Sequence, residues 1–76
     1  MKIHWWTGNG CRDTCHMNKP GLNFKESLLG SAILVNEKWY IEIEGVEGRQ
    51  GPFKHLKEAR ETLEAAVGGE PITNYD

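Results

Sequence analysis

Two thiols and two imidazoles stand close together near the front of the chain. Cys11 and Cys15 are separated by three residues, His16 follows directly and His4 lies upstream, all within thirteen residues. Zinc takes four such ligands in a tetrahedron, thiolates at about 2.3 Å and imidazole nitrogens at about 2.0 Å. His4, Cys11, Cys15 and His16 are therefore the candidate metal ligands, with His55 as a substitute for His16. Against this set, neighbours such as Cys15 and His16 do not readily turn to one ion, and there is no second cysteine pair. The thiols have two other states open to them. They can both be free, one buried as a small hydrophobe and one exposed, as in a reducing compartment. They can also form a disulfide, whose small loop would stabilise little. Covalent haem attachment uses C-x-x-C-H, one residue shorter than the spacing here.

A catalytic thiol needs a base within reach and a third group to orient that base. Cys11 or Cys15 with His16 or His55, and Asp13 nearby, supplies the residue types but matches no local signature of a catalytic cysteine. Gly45, Gly48 and Gly51 are spaced for turns and are not followed by Lys-Ser or Lys-Thr, so they form no phosphate loop. The expectation is a protein that is not an enzyme.

Three Trp and two Tyr among 76 residues point instead to recognition. These side chains give large, rigid contact area with a polar tip and are favoured at protein interfaces. A sheet covered by one helix hides one face, so one or two of Trp5, Trp6 and Trp39 belong to the core, and Trp6 or Tyr40 is exposed. Trp6, Arg12, Lys19 and Tyr40 are the candidate partner-binding residues, on a contact surface made of the Trp6 to Lys19 loop and the exposed aromatic face. Trp6 beside Arg12 and Lys19 could also stack a nucleobase, but the cations are too few for a nucleic-acid site.

These residues need a scaffold, and 76 residues provide one small domain. A composition of 38% hydrophobic and 26% charged residues is that of a globular chain. The formal charge is +2 over residues 1–36 and −4 over residues 37–76, neither of which is the dense single-sign field of a nucleic-acid binder or a DNA mimic. No apolar run reaches the roughly 20 residues of a membrane helix and no signal peptide stands at the front, so a cytoplasmic protein with no membrane partner is expected.

Lys2–Thr7 reads as a first strand, with Ile3 and Trp5 on one face and His4 and Trp6 on the other. Cys11 to Gly21 is polar and reads as a long loop. Asn23 to Glu26 has the form of a capping box opening a helical turn. A strand running from Ser27 into Ser31–Val35 competes with that turn, and periodicity does not arbitrate. Ile33–Val35 and Trp39–Glu44 form a hairpin around Asn36-Glu37-Lys38, with Trp39, Ile41 and Ile43 alternating against Tyr40, Glu42 and Glu44. Arg49–Phe53 makes a short strand with Pro52 at its edge. From Leu56 the period becomes helical, with Leu56, Ala59, Leu63, Ala66 and Val67 on one stripe. Gly68-Gly69 caps the helix and Pro71 prevents its restart.

The fold expected is α+β: an antiparallel sheet of three to four strands with the C-terminal amphipathic helix packed on one face. It spans residues 1–69 and is followed by a flexible tail, 70–76. A free edge at Lys2–Thr7 or Arg49–Phe53 would allow a homodimer.

Trp39 to Gly45, then Gly51-Pro52-Phe53, then Leu56-Lys57-Glu58-Ala59 and Leu63-Glu64, resembles the hairpin, Gly-Pro-Phe and helix pattern of small uncharacterised proteins encoded by phages and prophages. The likeness covers about half the chain. This sequence departs from the pattern at His55, where a Ser, Thr or Asp usually opens the helix, while Glu58 keeps its place. The resemblance implies a protein that binds and inhibits a larger host protein, and it transfers no functional residue. Two functions are thus carried forward: a small protein-binding module, and a zinc-stabilised binding module whose N-terminal loop is ordered by His4, Cys11, Cys15 and His16.

Overall fold

The computed structural model describes residues 1–71, which form an α+β fold. Strands β1 (Lys2–Thr7), β2 (Arg12–Met17), β3 (Leu28–Val35), β4 (Lys38–Ile43), β5 (Gln50–Phe53) and β6 (Glu70–Pro71) make one sheet in the order β5-β4-β3-β2-β1-β6. Helix α1 (Phe24–Ser27) is a single turn, and α2 (Leu56–Val67) lies across one face. The sheet is wider than the three or four antiparallel strands expected, and it is mixed, because β6 runs parallel to β1.

The largest correction is β2. The polar stretch after Cys11 is a central strand of the sheet, antiparallel to both β1 and β3. Its polar side chains find partners within the fold, Asp13 in Arg60 and His16 in Ser27 and Thr14, and so do not signal a loop. The β1–β2 turn is closed by Gly8 N–H donating to Arg12 O at 2.9 Å and by Cys11 N–H donating to Asn9 Oδ1 at 3.0 Å.

Both readings of the next segment hold in succession. Asn23 caps α1 with a complete capping box: Glu26 N–H donates to Asn23 Oδ1 at 2.7 Å, and Asn23 N–H to Glu26 Oε1 at 3.1 Å. After one turn the chain extends at once into β3. The β3–β4 hairpin reverses over Asn36 and Glu37, with φ of 51° and 66°. Positive φ at both central positions gives the turn whose twist suits flanking strands.

Helix α2 follows the expected period with one exception. Ala59 and Leu63 are buried and Leu56 and Val67 pack beside them, but Ala66 is exposed. His55 stands at the N-cap, and Glu58 still reaches back to its N–H, at 3.3 Å. Gly68 ends the helix at φ 69°, the left-handed conformation a glycine adopts without strain. Glu70–Pro71, assigned above to a tail, instead pair with Lys2–Ile3. The rest of that tail, 72–76, lies outside the described residues.

Ile3, Trp5, Cys15, Ala32, Ile41, Ala59 and Leu63 form the core between α2 and the sheet, flanked by Leu29, Trp39, Ile43 and Phe53. One polar cluster is set into this layer. Asp13 is buried and accepts from Arg60 Nη2 and, at 3.2 Å, from Nε; the guanidinium lies 5.1 Å from the centroid of the Trp5 ring, and Trp5 Nε1 donates to Glu64 Oε2 at 2.9 Å. Among the described residues no helix is long and apolar enough to cross a membrane.

Candidate functional site

Side chains alternate between the two faces of a strand, so the residues between the core positions point to the face α2 does not cover. The pairing registers set them in rows. Arg12, Ile33 and Tyr40 lie side by side; Trp6, Thr14, Ser31 and Glu42 form the next row; His4, His16 and Leu28 form the third. Three of the four residues expected to bind a partner, Trp6, Arg12 and Tyr40, thus share one face. Lys19 follows β2 and joins Trp6 in lining a groove on that face.

The centre of the face is an aromatic cluster built around His16. The His16 ring is fully buried beneath Phe24, with ring centroids 4.1 Å apart, and stacks on His4 at 5.9 Å with an interplanar angle of 18°. Trp6 meets Phe24 and His4 edge-on, each at 6.0 Å. Helix α1 positions Phe24: one turn closed by the Asn23–Glu26 box lays that ring over His16.

The polar atoms under this cluster are joined in a chain with one consistent direction. The Ser27 hydroxyl donates to Phe24 O at 3.1 Å, which leaves it to accept from His16 Nδ1–H at 3.0 Å; with the imidazole neutral, His16 Nε2 then accepts from the Thr14 hydroxyl at 2.8 Å. That arrangement is a neutral imidazole. Burial holds the His16 pKa below the ordinary histidine value, the neighbouring His4 pushes it the same way, and the Phe24 carbonyl partly offsets both. Ser27 is buried with its proton committed to a backbone carbonyl, so the Ser27–His16 contact fixes structure and does not prepare a nucleophile.

A pH dependence follows. The unfolded chain binds a proton on this histidine near pH 6.5, where the folded chain does not. The stability contributed by neutral His16 is complete above that pH and is lost progressively as pH falls below it toward the lower folded value. Thermal melts from pH 7.5 to 5.0 are expected to show a falling Tm, with a flatter profile in His16→Gln. Equal slopes in the two proteins would remove His16 as the cause.

The four candidate metal ligands are divided by the sheet. Cys15 faces α2, His16 and His4 face the opposite way, and Cys11 is exposed in the β1–β2 turn. His55 stands at the start of α2. Among the described residues no group of three or more His, Cys, Asp or Glu side chains is placed to hold a metal ion. Adjacent residues of a strand cannot turn to one ion as loop residues can, and this is what separates Cys15 from His16.

Both cysteines are free. Burial, followed by the Glu64 carboxylate and eased by Arg60, pushes the Cys15 thiol up to about 12, so it carries no thiolate at neutral pH. Iodoacetamide is expected to add one label to the folded protein, at Cys11, and two in denaturant. Two labels at equal rates under native conditions would contradict the burial of Cys15.

Phe24, Thr14, Ser27 and Leu22, which lines the groove beside Phe24, carry no motif in the sequence that marks them as part of this site. The capping box at Asn23 was the available signal for Phe24, since it fixes which residue begins the helical turn. No protein-family model matches this chain, and no curated protein or solved structure matches it.

Proposed function

We propose that this protein is a small, non-enzymatic binding module that holds a larger protein against the uncovered face of its sheet, acting as an inhibitor or modulator of that partner. The observation that carries this reading is the exposure of Trp6 and Phe24, 55% and 57%, on the face that α2 leaves bare. Large aromatic side chains left in water on a rigid sheet, with cations beside them, are the composition of an interface core. The resemblance to small phage and prophage proteins supports the same reading, with a host protein as partner in the host cytoplasm.

The other functional classes find less support. The buried Cys15 remains a thiol, the Ser27 proton is committed, and the cations of the face are few for a nucleic-acid backbone. The placing of Cys15 on one face of the sheet and of His4 and His16 on the other speaks against a zinc centre shared with Cys11.

Partner capture tests the surface. Trp6→Ala, Arg12→Ala and Tyr40→Ala are exposed or half-exposed positions whose loss leaves the core between α2 and the sheet intact. Trp6→Ala is expected to weaken capture about tenfold or more, as for a central aromatic of an interface, and the triple variant to abolish it. Lys57→Ala on the exposed side of α2 should bind as the parent does. Undiminished capture by a folded triple variant would sink the assignment.

A further inference from the structure

We propose that the groove beside α1 accepts one aromatic or aliphatic side chain projecting from an acidic peptide segment of the partner. This rests on the reading that the uncovered face binds a protein, and it names the chemistry of the part that is bound.

The groove has a volume of about 290 Å³ and runs between Trp6, Phe24 and Leu22, with Lys19 at its rim and His4 and Ser27 below. That is at the small end of the roughly 300–1,000 Å³ of pockets that enclose a whole small molecule, and suits a single inserted side chain. Its apolar walls belong to the most exposed large hydrophobic residues: among the described residues Trp6, Phe24 and Leu22 are three of five, and they surround one depression. Walls of this kind favour an apolar anchor.

Charge selects the segment that carries the anchor. Among the described residues no Asp or Glu lines the groove. Between Cys11 and Ser27 there are two carboxylates: Asp13 is buried on the other face with Arg60, and Glu26, which accepts from the Asn23 N–H, keeps its charge next to Lys25 in the chain. Further along the face, Glu42 is paired with Arg49 at 2.9 Å, and Glu44 lines the same depression as Arg12, away from the groove. Among the described residues Arg12, Lys19 and Lys25 enter no ion pair. Lys19 at the rim, with no carboxylate among the described lining residues, therefore gives the aromatic slot a local positive charge, although the chain as a whole is formally −2. An acidic segment is attracted to this local charge. A nucleic acid would need many more cations to offset its phosphates.

The test uses three synthetic fluorescein-labelled octapeptides: one of Asp and Glu with a central Phe, the same with Ala for Phe, and a Lys counterpart with the central Phe. A short oligothymidylate is the fourth probe. Fluorescence anisotropy measures affinity, and the indole N–H signals of the ¹⁵N-labelled protein report where binding occurs. The acidic Phe peptide is expected to bind saturably by about 1 mM, to bind about tenfold more tightly than its Ala version, and to shift the Trp6 indole while leaving Trp5 still. Trp6→Ala or Phe24→Ala should weaken it about tenfold, and Lys19→Glu should weaken it while improving the Lys peptide. Raising salt from 0.05 to 1 M should weaken binding, because the screening length falls to about 3 Å.

Equal binding of the acidic and Lys peptides, of Phe and Ala peptides, or tighter binding of the oligonucleotide would overturn the proposal. So would no Trp6 shift with any peptide. If the peptides fail while partner capture still depends on Trp6, Arg12 and Tyr40, this inference falls and the reading of the surface stands.

Discussion

Arg60→Met is expected to lower the unfolding free energy by about 3 to 5 kcal/mol, the range for breaking a buried ion pair from one side. Asp13 has a side chain only 3% exposed, in the layer between sheet and helix, and Arg60 is the cation that holds it there. Without the guanidinium a carboxylate is left in a low-dielectric site, and the contact over the Trp5 ring is lost as well. Asp13→Ala should cost less, because Arg60 is 22% exposed and can turn its charge toward water. The double variant Arg60→Met/Asp13→Leu should recover most of the loss, since no orphan charge remains. Urea denaturation of the three variants measures all of this. If Arg60→Met comes within about 1 kcal/mol of the parent, the pair is not a buried interaction in solution.

The same pair explains why β2 was hidden in the sequence. A stretch reading Arg12-Asp13-Thr14-Cys15-His16 has the polarity of a loop, and what makes it a strand is satisfaction at long range: Asp13 by Arg60, 47 residues away, and His16 by Ser27. Local pattern carries no record of such partners. Reading the segment as a loop then made a common zinc centre for Cys11, Cys15 and His16 conceivable, and strand alternation removes that freedom. Elements whose signals are local were legible. The Asn23–Glu26 box, the alternation from Trp39 to Ile43, and the period ending at Gly68 all depend on neighbours within a few residues. The candidate surface was legible in part for the same reason. Trp6 and Tyr40 alternate with core residues of their own strands, which assigns them to the uncovered face, whereas Phe24 reaches that face only through the fold of α1.

Leu63→Ala is expected to cost about 2 to 5 kcal/mol, the range for deleting a fully buried leucine side chain. Leu63 has no exposed surface and sits at the centre of the core under β3. A domain of this length has only about 4 to 11 kcal/mol in total, so the substitution removes a large share of the stability on which the uncovered face depends. Gly30 faces this leucine across the layer: a Cβ built there would come 2.7 Å from Leu63 Cδ1 and 2.6 Å from the backbone oxygen of Glu42. The first contact disappears in Leu63→Ala, which makes Gly30→Ala look like a way to refill the cavity. The second contact does not disappear, because it is made by the backbone of β4. Gly30→Ala is therefore expected to destabilise the parent and to fail to rescue Leu63→Ala, in contrast to Leu63→Met, which keeps the volume and should cost under about 1.5 kcal/mol. Thermal melts of the four proteins separate these outcomes. Recovery of Tm in the Gly30→Ala/Leu63→Ala double variant would mean that β3 and β4 can part enough to admit a methyl group, and that the sheet carrying Trp6 and Tyr40 is less rigid than its pairing implies.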